Sequence, residues 1–229
     1  MQLGRLINQT LSSEIIYSYI IIICSLIIYF GTKRIYELTS HGGLKYFRQT
    51  FLLISIGFFS RTFIKFLLYY LGLERVFDIP RGRLFRMIGN ISQFVFIYIS
   101  IITILYLSYS IIWKKWKDKK RIIIGFHLFA LIISSLTLYF QNMIFYLISQ
   151  VITLSFLSYC IYSSYKKRKK KKSRISYLIY FLIAGFWLLN SIEVIIPNVF
   201  TNTKIMIYLS SITLFMIMLY KVLITLGSD

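Results

Sequence analysis

Seven long apolar runs, parted by short polar stretches, leave this chain few ways to fold. They fall at about 14–31, 46–72, 86–113, 121–140, 143–164, 175–196 and 204–226. Crossing the hydrocarbon of a bilayer takes roughly 17–25 residues of helix, and each run meets that length. Lipid offers no partner to backbone N–H and C=O groups, so a spanning segment must be a helix or part of a closed barrel. Barrel strands alternate apolar and polar residues; IIYSYIIIICSLIIYF and ISQFVFIYISIITILYL do not. Composition agrees: 58% of the 229 residues are hydrophobic and only 15% are charged, where a soluble domain would carry about a quarter charged residues. The expected fold is all-α, a polytopic seven-transmembrane-helix bundle forming a single transmembrane domain over 1–229, multi-pass in the cell membrane.

The formal charge of +20 comes from 27 Lys and Arg against 7 Asp and Glu, and its distribution sets an orientation. With the N-terminus outside, nineteen cations fall on the cytoplasmic side and six on the other, with Arg61 and Lys65 inside the second run. Cytoplasmic loops are the ones that collect Lys and Arg. The expectation is therefore an outside N-terminus and a cytoplasmic C-terminus. The first run has neither a strong basic n-region nor a small-residue cleavage site, so it reads as a span and not as a cleaved signal.

Catalysis has little to work with. P-loop, HExxH and GxSxG patterns are absent, the loops leave no room for an appended domain, and the two histidines, His41 and His127, stand in different segments. Cys24 and Cys160 both lie inside apolar runs, which suits packing better than a disulfide or a metal. The expected protein is not an enzyme and holds no cofactor and no metal.

Ionisable and amide side chains inside a span cost free energy, so each asks for a reason. Arg61 and Lys65 stand four apart on the second helix and share a face. At a similar depth, in the outer half, come Asn90 and Gln93 on the third helix, Gln150 on the fifth, and Asn190 and Glu193 on the sixth, while Glu14 opens the first. Two readings follow. These groups can line a small polar pocket in which Arg61 takes an anionic or zwitterionic ligand. Alternatively Arg61, with Glu193 or Glu14 as counter-ion, simply ties helices together.

Three weaker patterns add detail. His127, Ser134 and Gln141 recur every seven residues on one side of the fourth helix, where a lone His is usually a hydrogen-bonded packing residue. The loop KKRKKKKSR, with Lys166, Lys167, Arg168, Lys169, Lys170, Lys171 and Lys172, reads as a topology anchor against anionic lipid headgroups and not as a nucleic-acid site. Finally, Gly57-Phe58-Phe59 on the second helix is echoed by Gly185-Phe186-Trp187 on the sixth, as in a three-plus-one-plus-three repeat.

The segment from Leu38 to Phe51, LTSHGGLKYFRQTF, resembles a signature of uncharacterised archaeal seven-helix integral membrane proteins. That resemblance implies the helix count and no chemistry. Gly42-Gly43 suits a tight turn into the helix, and Lys45 and Arg48 suit the inner headgroups. Retinal proteins need a lysine midway along the last helix; Lys204 and Lys221 sit at its two ends. The first functional expectation is a receptor- or sensor-like bundle passing an outer event to a separate cytoplasmic partner. The alternative is a small transporter or channel.

Overall fold

The computed structural model describes residues 2–70, 81–114, 119–167, 172–196 and 200–227. Its elements are α1 (Gln2–Gly31), α2 (Lys33–Thr39), α3 (Gly42–Tyr70), α4 (Arg81–Ile112), α5 (Lys119–Tyr139), α6 (Ile144–Lys167), α7 (Lys172–Ile195) and α8 (Thr201–Gly227). No strand occurs among the described residues.

Among the described residues six stretches are long and apolar enough to cross a membrane: Ser12–Thr39, Met87–Ile112, Lys120–Tyr139, Ile144–Ser164, Leu178–Ile195 and Thr201–Ile224. The remaining long helix, α3, has 29 residues. It differs from the others in polarity, because Lys45, Arg48, Gln49 and Arg61 dilute its apolar side chains.

The helices form a ring. α1 packs on α3, α3 on α4, α4 on α6, α6 on α7, α7 on α8, and α8 back on α1, while α5 lies against α4 and α6. Burial follows this plan: 78% of the α4 stretch is enclosed but only 17% of that in α5. On α1, Tyr17, Ile21, Cys24 and Ile28 point inward, whereas Ile16, Ile23, Ile27 and Phe30 project outward. That split has helical spacing, yet both faces are apolar, as expected where the surroundings are lipid.

Aromatic rings fill the centre. Phe58 of α3 meets Phe186 of α7 at 5.9 Å, Phe186 meets Phe215 of α8 at 4.9 Å, and Phe51 meets Phe215 at 6.3 Å. Trp187, Ile21 and Ile54 complete this core. A second core, with Ile97, Ile101, Leu105, Ala130 and Tyr146, joins α4 to α5 and α6.

The turn between α1 and α3 explains the Leu38–Phe51 segment. The Thr32 hydroxyl donates to the Ile28 carbonyl at 2.7 Å, and the seven residues of α2 end at Ser40, whose φ is 47°. Trp113, just beyond α4, packs against Gly42 and Gly43 at the start of α3. A Cβ on Gly43 would stand 2.7 Å from the Ser110 carbonyl oxygen and 2.7 Å from the indole, so only glycine fits. His41 adds an edge contact to the same indole, 4.8 Å between ring centres.

One sequence expectation is corrected here. Gln141 does not continue the His127–Ser134 stripe: it lies past the end of α5 with φ 49°. The neighbouring Asn142 side chain accepts from the Ile144 N–H at 2.9 Å and so opens α6.

Candidate functional site: an ion network across four helices

Arg61 projects from α3 into the end of the bundle where α1 and α8 begin and α7 finishes. Its Nε donates to Oε1 of Glu14 on α1 at 2.8 Å. Its Nη2 donates to both carboxylate oxygens of Glu193 on α7, at 2.9 and 3.0 Å. The guanidinium also lies 5.0 Å from the centre of the Phe96 ring on α4, a cation–π contact that strengthens away from water. Three helices therefore meet at one charged group, with a fourth stacked against it.

Aromatic hydroxyls extend the network to α8. Tyr208 donates to Oε1 of Glu193 at 3.1 Å. Its ring stacks on Tyr17 of α1, 4.6 Å between centres and 15° apart. The Tyr17 hydroxyl donates to Asn190 at 2.9 Å, and the Asn190 amide returns to its own helix at Phe186. Lys204 of α8 brings its ammonium to 4.0 Å from Glu193.

Arg61, Lys204, Glu14 and Glu193 bring two formal positive and two negative charges together. The side chains are enclosed, with relative exposures of 14% for Arg61, 12% for Glu14 and 5% for Glu193. A buried charge persists only where partners replace its water. Here the two carboxylates take two of the guanidinium's N–H directions, Nε–H pointing to Glu14 and one Nη2–H shared by both oxygens of Glu193.

The sequence-derived candidates separate into three groups. Arg61, Asn190 and Glu193 come together in the network. Gln150 is buried on α6 but binds a different helix, its amide donating to Ser100 of α4 at 3.0 Å. Among the described residues its carbonyl oxygen has no hydrogen-bond partner. Gln93 sits half-buried at the edge, 3.5 Å from the Met143 sulfur, and Asn90 is exposed. The expected convergence is therefore reached by part of the set. The side chain of Lys65, and residues 168–171 of the basic loop, lie outside the described residues; Lys166 and Lys167 end α6 and Lys172 opens α7.

Tyr17, Tyr208 and Lys204 were not among the sequence candidates. Tyrosine is so frequent in these runs, 19 in the chain, that no single one stands out. Spacing did carry a signal, since Tyr17 follows Glu14 by three residues and shares its helix face.

Away from this network, His127 on α5 is clamped by two α4 tyrosines. The Tyr98 hydroxyl lies 2.6 Å from Nδ1 and the Tyr106 hydroxyl 2.9 Å from Nε2. With both ring nitrogens engaged, the histidine fastens α5 to α4. No cluster of three or more potential metal ligands occurs among the described residues.

Along nearly its whole length the chain is similar to an uncharacterized protein of Archaeoglobus fulgidus, 28% identical over 216 residues, which cover 94% of this chain and 93% of that one. No protein-family model matches the chain. No solved structure matches it either.

Proposed function

We propose that this chain is an integral membrane protein of seven spans, α3 included, with its N-terminus outside and its C-terminus in the cytoplasm. In this reading it is a non-enzymatic receptor or sensor. The observation that carries it is the division of one guanidinium between Glu14 and Glu193. A ligand carboxylate that replaces Glu14 at Arg61 exchanges one charge-assisted hydrogen bond for another, so the net cost is small. A zwitterion suits the site best: its carboxylate binds Arg61 and its ammonium takes the released Glu14. The exchange unties α1 from α3 but leaves α3 tied to α7. Such a two-state element is what a ligand needs to shift a population. The change would be read at the cytoplasmic end by a separate partner protein, with the basic loop of Lys166 to Lys172 held against anionic lipids.

The test uses the purified chain in nanodiscs and a panel of small amino acids, carboxylates and phosphates, followed by thermal shift. Spin labels at the exposed Ser12 and Ile195 report the α1–α7 distance. A stabilising compound that also lengthens this distance, and does neither in Arg61→Leu, supports the reading. If every compound acts alike on both proteins, the network only ties helices together.

A second reading, a small transporter, draws on the ring. α1–α3–α4 and α6–α7–α8 make two sequential triplets, joined at α4–α6 and α8–α1, with α5 outside as the link. The echoed phenylalanines, Phe58 and Phe186, touch each other across the middle. Gly57 and Gly185 both face the third helix of their own triplet, at Ile99 and Leu214. Repeats of this kind suit alternating access. Uptake of the stabilising compound into proteoliposomes, abolished in Arg61→Leu, would favour the transporter over the receptor.

A further inference from the structure

The corner where α1, α2 and α3 meet holds a second buried guanidinium with a different environment. Arg48 is 9% exposed. Its Nε donates to the Tyr29 carbonyl near the end of α1, at 3.3 Å. Its carbon centre lies 4.8 Å from the Tyr29 ring and 5.3 Å from the Tyr36 ring, so two aromatic faces hold the plane in place. Among the described residues no carboxylate pairs with it. The nearby acid of α2, Glu37, is exposed and engages Lys33 at 3.7 Å.

A cation that is nine-tenths enclosed and lacks an acidic partner is electrostatically incomplete. Arg61 has the same chemistry and two carboxylates; Arg48 has two rings and one backbone carbonyl. The ring contacts offset part of the cost but cannot neutralise the charge. Position suggests what does. Arg48 stands six residues into α3, beside the last turn of α1, about 9 Å along the helix from its start. In a bilayer-spanning bundle that is headgroup depth. Around it the exposed Arg34 and Lys45 add positive charge, and Leu38 of α2 is 78% exposed.

We propose that Arg48 is a binding site for the phosphate of an anionic phospholipid. Nε is committed to the Tyr29 carbonyl, and the terminal nitrogens of the fork donate to two phosphate oxygens in the bidentate manner that suits guanidinium. Tyr29 and Tyr36 fix the plane, Arg34 and Lys45 select a net-negative headgroup, and Leu38 meets the lipid tails. The lipid completes a corner in which the described residues give Arg48 no carboxylate. This inference needs only the membrane-spanning reading; it is independent of any ligand at Arg61.

The experiment measures thermal unfolding of the full chain in detergent, titrated separately with phosphatidylglycerol, phosphatidylcholine and inorganic phosphate. Phosphatidylglycerol is expected to give a saturable rise in Tm that phosphatidylcholine does not match. Arg48→Gln should weaken its apparent affinity about tenfold or more. Arg48→Lys and Tyr36→Leu should fall between. Equal stabilisation by both lipids, or a full phosphatidylglycerol response in Arg48→Gln, would overturn the proposal. Inorganic phosphate reproducing the Arg48-dependent shift would overturn the lipid assignment in favour of a free anion. Should Arg48→Gln not fold, Tyr36→Leu decides, and an unchanged lipid response there refutes the site.

Discussion

Arg61 and Glu193, 132 residues apart in the chain, join α3 to α7 through one terminal nitrogen that reaches both carboxylate oxygens, at 2.9 and 3.0 Å. Glu14 completes the pairing from α1 but is the less enclosed of the two acids, at 12% against 5% exposure. Removing one member of a buried pair leaves the other charge stranded, which costs roughly 3–5 kcal/mol.

Glu193→Gln should therefore destabilise the bundle more than Glu14→Gln, because it also weakens the acceptor of Tyr208. The losses are expected near the upper part of that range for Glu193 and about 1–2 kcal/mol lower for Glu14. Chemical unfolding of each variant in detergent checks the order. Equal losses would mean that the two carboxylates are interchangeable.

Glycine substitutions separate close approach from helix propensity. Gly43→Ala drives a Cβ against the Ser110 carbonyl and the Trp113 ring, whereas nothing lies within 4 Å of a Cβ on Gly125. The first should cost about 1–3 kcal/mol by overpacking. The second should be neutral or stabilising by about 0.5–1 kcal/mol, since glycine is a poor helix residue. Thermal shift of the two variants side by side measures the contrast.

The two hydroxyls on His127 give a graded series. Tyr98→Phe and Tyr106→Phe should each cost about 0.6 kcal/mol and at most about 1.7 kcal/mol, the average and upper value for hydrogen bonds between helices in membranes. His127→Leu removes both bonds and should cost more than either. Unfolding energies that leave all three variants at wild type would show that α5 is held by its apolar contacts alone.

Much of this architecture was legible in the sequence. Helix positions followed from run length, and α3 through α8 begin and end within a few residues of the expected bounds. α1 starts well before its apolar run, at Gln2, because a helix can continue beyond hydrocarbon where hydropathy gives no sign. α2 escaped notice because seven residues cannot register as a span. Arg61 stood out by its cost in an apolar run, and both of its acids were named as alternatives; the structure uses both. Gln150 has an expected depth similar to that of Arg61 but faces Ser100, and that choice depends on how α6 is rotated, which a single apolar run does not encode. Arg48 read as an ordinary headgroup cation; only the folded corner encloses it between two rings.

The spanning of α3 is the point on which the rest turns, since it carries both buried arginines. Reporter fusions after α1, α3 and α4, with one at each end of the chain, locate every segment relative to the membrane. The expected result is a change of side across α3 and termini in opposite compartments. A reporter after α3 on the same side as one after α1, or both termini in one compartment, would contradict it.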